Sequence, residues 1–362
     1  MTTQSIASQD TSRAWIDIDL GALLRNAEAL SRLARVPLLP MVKADSYGLG
    51  AVAVARALSK LDPYGFGVAD VHEGQQLRAA GFWRPIIVFT PLVAADVAIA
   101  RDIKLTPALD SPAGIKAWTE SGGGPWHLAI DTGMGRTGVP WDAMGSVVEL
   151  VRQRPPEGAF THFHSAELDN DSMAEQDRRF RTAVAALPER PSLLHTQNSA
   201  AIVRQVPSPW SLVRPGVFLF GVGSGGPHAV TPEPVVHMRA RIVSIRDMKP
   251  GDTVSYDATW TARRPTRAAT IGVGYADGYR RALSNAGAVL IEGRKANVIG
   301  IVTMDMTMVD VTDIPCTVGD VVTMIGTSGD QTITVENVAT ASRLSPYEIL
   351  TGLRQRLPRR YA

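Results

Sequence analysis

Short apolar runs alternate with alanine-rich helical stretches through the first part of the chain, which is the pattern of repeated βα units. Residues 14–18 lead into an amphipathic stretch at 20–34, and the run Leu38-Leu39-Pro40-Met41-Val42 leads past Lys43 into 51–59. Further strands are expected at 66–68, 85–89, 126–130, 158–163 and 192–194. Such a series fits a doubly wound parallel sheet or an α/β barrel of the (β/α)8 kind. The barrel is the better reading, because side chains suited to catalysis recur at several strand ends instead of around one crevice.

After a glycine- and proline-rich segment at 221–234 the pattern becomes one of alternating strands, expected at 235–243, 268–273, 288–291, 306–311 and 321–325. Gly251-Asp252, Glu292-Gly293 and Ser328-Gly329-Asp330 read as turns. Long helices are absent until Ser345-Pro346-Tyr347-Glu348 opens one, with Pro346 at a favourable first position. The expected organisation is a barrel domain over 1–234 and a mainly β domain over 235–362. The first residues of the chain are candidates for pairing with the second domain.

Composition removes several classes of function. The 362 residues, 45% hydrophobic, suffice for two buried cores. A net charge of +2, with no interleaving of basic and aromatic residues, argues against a nucleic-acid partner. Arg354, Arg356, Arg359 and Arg360 read as a solvated or subunit-contacting helix end. Apolar runs such as 92–100 are broken by Asp96, and the polar first ten residues lack the features of a signal peptide, so no membrane partner is expected. Cys316 is the single cysteine, which excludes an internal disulfide and a cysteine-built metal site and fits a reducing, cytoplasmic setting. A small-molecule substrate is expected.

Candidate chemistry concentrates at the strand ends. Lys43 closes an apolar run and opens into Ala44-Asp45-Ser46-Tyr47-Gly48, read as a flexible loop. Partial desolvation there makes a lysine a nucleophile toward a carbonyl, with Schiff-base formation as the consequence; an isolated lysine of this kind is ordinarily just solvated. Asp131-Thr132-Gly133-Met134-Gly135-Arg136-Thr137-Gly138 places a planar cation, Arg136, where a carboxylate or phenolate can meet it. Thr161-His162-Phe163-His164 sets two imidazoles on one side of a strand end, but no third ligand follows at metal spacing, and His162 reads better as a hydrogen-bonding group. Asn198-Ser199 begins a helix, either as a plain cap or as part of a phosphate site, and Arg214-Pro215-Gly216-Val217 adds a second arginine and free amides near the closing strands. The second domain offers Ser255-Tyr256, Gly274-Tyr275-Ala276-Asp277-Gly278 and Thr303-Met304-Asp305.

Together these segments resemble the alanine racemase family across residues 14–361. The resemblance implies an N-terminal barrel with a C-terminal β domain, pyridoxal 5′-phosphate as cofactor, racemisation of alanine, and a homodimer with shared active sites. By position, it implies that Lys43 carries the cofactor linkage, that Tyr47, Ser199, Gly216, Val217 and Tyr347 surround the phosphate, and that Arg214 donates to the pyridine nitrogen. Arg136 and the Met304 amide are implied for substrate and the cofactor phenolate side, and Tyr275 for the entrance. Tyr256 is implied as the second base, supplied by the other subunit and supported by His162.

Four positions depart from the family pattern. Ala129 stands where a carbamylated lysine is common, so Arg136 needs another anion or neighbour. Ile301 replaces an arginine, Asp257 a glycine and Phe220 a tyrosine, which bears on entrance shape and loop geometry. A racemase of serine or of several amino acids, a barrel decarboxylase, and a non-catalytic cofactor carrier remain as alternatives; a decarboxylase is expected to recruit a cysteine and an acidic partner for the ring nitrogen, where this chain has Arg214.

Overall fold

The computed structural model describes residues 12–205, 207–225 and 230–362. The polar first ten residues, and 226–229 within the predicted 221–234 connection, lie outside the described residues. The chain divides into two units, one formed by Leu20–Glu233 and the other by the amino-terminal segment up to Asp19 with Pro234–Ala362.

In the first unit six parallel strands follow one another in chain order: Phe66–Val68, Ile86–Val88, Thr106–Leu109, His127–Asp131, Gly158–Phe160 and Leu193–His195. Two extended segments close the ring. Met41 bridges Gly67 and Leu38 bridges Val213, both in parallel, and the Leu39 and Met41 N–H groups donate to the Val213 and Pro215 carbonyls. On the far side, Ser211 N–H donates to Leu194 O and Arg214 N–H to Gln197 O. This is the expected barrel. Two of its eight positions were not anticipated, Thr106–Leu109 and the closing segment near 213, because Pro107 and Pro215 argue locally against strands. The predicted strand at 158–163 ends at Phe160, which releases Thr161 and His162 from the ladder.

Strands buried on both faces are apolar almost throughout, as Ile86–Val88 and Thr106–Leu109 illustrate. The barrel interior nevertheless holds polar rings: His195 stacks on Phe160 at 5.1 Å and 12°, with Phe89 edge-on to Phe160 at 5.1 Å.

In the second unit the strand Ala14–Ile18 runs antiparallel to Val236–Met248 and parallel to Arg359–Tyr361. Val236–Met248 is longer than predicted and also pairs with Thr266–Ile271 and Val321–Ser328, which makes it the spine of the sheet. Ile291 pairs with Arg294 across Glu292 (φ 49°) and Gly293 (φ 75°), a two-residue turn with both φ values positive, as the strand twist demands. Ser345 caps the helix Pro346–Thr351 in a reciprocal box with Glu348.

Candidate active site

Behind Lys43 the backbone turns left-handed. Ala44, Asp45, Ser46 and Tyr47 all have φ between 53° and 57°, one turn of left-handed helix in place of the flexible loop expected from the glycines. For non-glycine residues this conformation costs roughly 1–2 kcal/mol each, so it persists only where its surroundings enforce it. Glu73 accepts the Ala44 N–H at 2.6 Å and the Ala69 N–H at 2.7 Å, tying the turn to the end of the adjacent strand. Asp45 Oδ1 accepts the Ala51 N–H at 2.7 Å, and the buried Tyr47 ring packs on Phe220 at 4.7 Å. The tyrosine usual at 220 is thus replaced by a ring that keeps the packing.

The half-buried Lys43 amine is held below its ordinary pKa, first by burial, then by Arg136 and Arg214, with Glu73 pulling the other way. The sign favours a free amine, and hence a nucleophile, nearer neutral pH. Arg136 itself is exposed and makes no ion pair among the described residues. The nearby Asp131 carboxylate is committed to the Gly133 and Gly135 N–H groups, at 2.9 Å and 3.1 Å. Ala129 packs with Ala108, Phe160 and Phe89, so that position supplies no anion to Arg136.

Arg214 is buried. Its Nη1 donates to His195 Nδ1 at 2.8 Å and His195 O at 2.7 Å, and its Nη2 to Thr161 O at 2.7 Å and Thr196 O at 3.1 Å. His162 Nδ1 lies 3.4 Å from Nη2. Burial lowers the guanidinium to about 9, still a cation at neutral pH. Burial and Arg214 in turn pull His127 and His162 down to about 3 and push His195 well below its usual value.

These neutral imidazoles predict acid sensitivity. The unfolded chain binds their protons near pH 6.5 and the fold does not, so their stabilisation is complete above about 6.5 and is lost as pH falls toward 3. Each contributes a slope of about 1.4 kcal/mol per pH unit in that window. Denaturant titrations at several pH values should show His162→Gln losing about one proton's worth of slope relative to the wild type. An identical slope in both would mean that His162 is already protonated in the fold.

Four of the residues expected around a phosphate, Tyr47, Ser199, Gly216 and Val217, belong to the first unit. Asn198 is the helix cap, accepting the Ala201 N–H at 3.0 Å, while Ser199 Oγ accepts the Gly216 N–H at 2.8 Å. A Cβ on Gly216 would lie 2.6 Å from the Tyr47 hydroxyl, so a side chain there would have to displace that hydroxyl. The Val217 N–H engages no acceptor among the described residues. Arg214 uses both Nη atoms within the protein and leaves Nε as its remaining donor. A phosphate-bearing pyridine fits this set: hydroxyls and an amide for the anion, one directed cationic N–H for the ring, and a lysine of lowered pKa.

Tyr256, Met304, Tyr275 and Tyr347 belong to the β-rich unit. Tyr256 is 67% exposed on the rim of a cavity of about 340 Å³ that Met248, Val254, Met306 and Met308 help to line. Asp257 adopts φ 58°, the left-handed conformation that explains why glycine is usual there and that aspartate tolerates. Ile301 is buried and its carbonyl accepts the Ser255 hydroxyl at 2.7 Å. The Met304 carbonyl accepts the Ala276 N–H at 3.0 Å, and among the described residues no hydrogen bond engages the Met304 N–H. Tyr347 sits in the first turn of its helix, its N–H donating to Ser345 Oγ at 3.1 Å.

Glu73, His127 and His195 escaped the sequence reading. Glu73 looks like any first-turn acid three residues after the cap Asp70, and His195 lies one residue past the predicted end of its strand. Only their partners, distant in sequence, mark them.

Comparison with known proteins agrees with this geometry. The family model described as "Alanine racemase, N-terminal domain" matches residues 18–224, and that described as "Alanine racemase, C-terminal domain" matches 235–361. Alanine racemases of Halothermothrix orenii and Geobacter sp. strain M21 are 35% and 37% identical, each over 97% of this chain and over 97% and 99% of the relative. The alanine racemase of Bartonella henselae, solved with covalently bound pyridoxal phosphate, superposes with a TM-score of 0.90 at 30% identity, covering 97% of this chain and 100% of that one. The Bacillus anthracis alanine racemase with bound L-Ala-P gives 0.89 at 27% identity, covering 98% and 96%.

Proposed function

We infer, since the chain belongs to the alanine racemase family, that it is a pyridoxal-phosphate-dependent isomerase interconverting L-alanine and D-alanine. The observation that carries this is Lys43: a half-buried amine of lowered pKa on an enforced left-handed turn.

When bound, the cofactor supplies an electron sink that makes an amino acid's α-proton acidic enough for a side chain to remove. The chain's own residues divide the remaining work. Lys43 is proposed to hold the cofactor and then, as a free amine, to exchange the proton on the D side of the α-carbon. Tyr256 is proposed to exchange the proton on the L side, from a second copy of the chain in a homodimer. Ser199, Gly216, Val217, Tyr47 and Tyr347 are the proposed phosphate ligands, and Arg136 with the Met304 amide the proposed carboxylate ligands. Arg214 is proposed to donate to the ring nitrogen. Because it remains a cation at neutral pH, it leaves that nitrogen unprotonated and so disfavours side reactions that need charge in the ring. His162 is proposed to pass the influence of Arg214 toward Tyr256.

The product is proposed to serve D-alanine biosynthesis for cell-wall peptidoglycan, in the cytoplasm; among the described residues no helix is long and apolar enough to cross a membrane. Chiral chromatography of cofactor-loaded protein given alanine, serine, lysine or arginine tests the assignment. Either enantiomer of alanine should go to an equal mixture faster than the others react. Faster turnover of serine or a basic amino acid, or release of carbon dioxide, would overturn it.

A further inference from the structure

Arg214 ends a buried chain of imidazoles that racemisation as described does not use. Its Nη1 lies 2.8 Å from His195 Nδ1. A guanidinium nitrogen can only donate, so that imidazole nitrogen is bare and the His195 proton sits on Nε2. His195 Nε2 in turn lies 2.8 Å from His127 Nδ1, which must accept, so the His127 proton is on its own Nε2. That last N–H is fully buried without a hydrogen-bond partner among the described residues, and Glu157 Oε2 is 3.9 Å away. The Tyr64 hydroxyl is a second buried donor beside the same Glu157 carboxylate; burial first and then Glu157 push its phenol up. One carboxylate therefore stands beside two buried donors, the His127 Nε2–H and the Tyr64 hydroxyl.

The chain crosses the barrel. His127 opens the strand His127–Asp131 and Glu157 immediately precedes Gly158–Phe160, so both lie at the strand starts, whereas His195 is the last residue of its strand. The sequence makes room for the line of rings: a Cβ on Gly158 would fall 2.6 Å from His127 Nδ1. Phe160 and Phe89 flank the guanidinium at 5.3 Å and 5.9 Å, which keeps its surroundings apolar. In such a medium every donor along Arg214, His195 and His127 points the same way, and each bond polarises the next.

We propose that His195 and His127 are positioning residues that connect Arg214 to Glu157, giving the buried guanidinium a counter-ion at the opposite end of the barrel. Its catalytic consequence rests on the role inferred above for Arg214; the relay itself does not. Nitrogen-15 spectra of imidazole-labelled protein read it without cofactor. Both histidines should be neutral Nε2–H tautomers over about pH 5 to 9. Glu157→Gln, which keeps the shape and removes the charge, should move the His127 Nε2 and the more distant His195 Nδ1 signals while the protein stays folded. Glu157→Asp should restore part of the shift. In loaded enzyme, Glu157→Gln should lower kcat by about 2- to 30-fold with little change in the KM for alanine. An Nδ1–H tautomer at either histidine, or an unmoved His195 signal in Glu157→Gln, would overturn the relay whatever Arg214 does. Normal tautomers and shifts with unchanged kcat would overturn the catalytic role instead.

Discussion

Lys43→Ala should abolish racemisation and firm cofactor retention together. No other residue is proposed to form the covalent linkage, and the same amine is one of the two proposed bases, so a single substitution removes both functions. A loss of at least about 10³-fold in kcat is expected, because the remaining groups can orient substrate but cannot exchange its α-proton on that face. The variant should still fold. The left-handed turn is held by the Glu73 carboxylate on the Ala44 N–H, by Asp45 on Ala51 and by Tyr47 on Phe220, none of which involves the Lys43 amine. Removing the amine also removes one of the charges that depress His162, so that imidazole should titrate slightly higher in the variant. Borohydride reduction of loaded wild-type protein, followed by peptide mapping, should place the cofactor mass on Lys43. A purified variant that keeps visible cofactor absorption after desalting and still racemises alanine would show that the linkage lies elsewhere.

Which parts of this site could be read without coordinates depends on how local their causes are. The apolar runs ahead of Lys43 and Arg136 announce their strands, whereas His162 fell inside the strand expected at 158–163 and the segment carrying Arg214 was not read as a strand; the Glu292-Gly293 turn is legible from its glycine. Thr106–Leu109 was hidden because Pro107 is locally a poor strand residue; pairing of Val88 with Pro107 in a fully buried ladder overrides that preference. The left-handed turn was hidden for the opposite reason. Ala44, Asp45, Ser46 and Tyr47 have no shared preference for positive φ, and the conformation is imposed by Glu73, 29 positions from Ala44. His127 and His195, 68 positions apart, look alike in sequence to any satisfied core histidine until the 2.8 Å contact joins them. Departures from the family pattern likewise acquire meaning only in place: Asp257 occupies a glycine conformation, Phe220 keeps a ring on Tyr47, and Ala129 leaves Arg136 without the anion that its usual neighbour supplies.

A mixed dimer of Lys43→Ala and Tyr256→Phe should recover activity that neither parent has. In either homodimer every site lacks one of the two proposed bases. If Tyr256 serves the site of the other copy, a heterodimer places both lesions in one site and leaves the second with Lys43 from one chain and Tyr256 from its partner. Activity per heterodimer should then approach about half that of the wild-type dimer, one working site in two, provided the sites act independently. If Tyr256 instead serves its own chain, each site in the heterodimer still carries a lesion and no recovery follows. The substitutions are mild enough for the comparison to be clean: Tyr256 is 67% exposed, and removing one hydroxyl there disturbs no buried contact. Differently tagged chains should be co-expressed, isolated as heterodimers and assayed from both enantiomers. Because the two bases act on opposite faces of the α-carbon, recovery must appear in both directions. A cofactor-loaded heterodimer no more active than its parents would rule out a tyrosine supplied from the second copy.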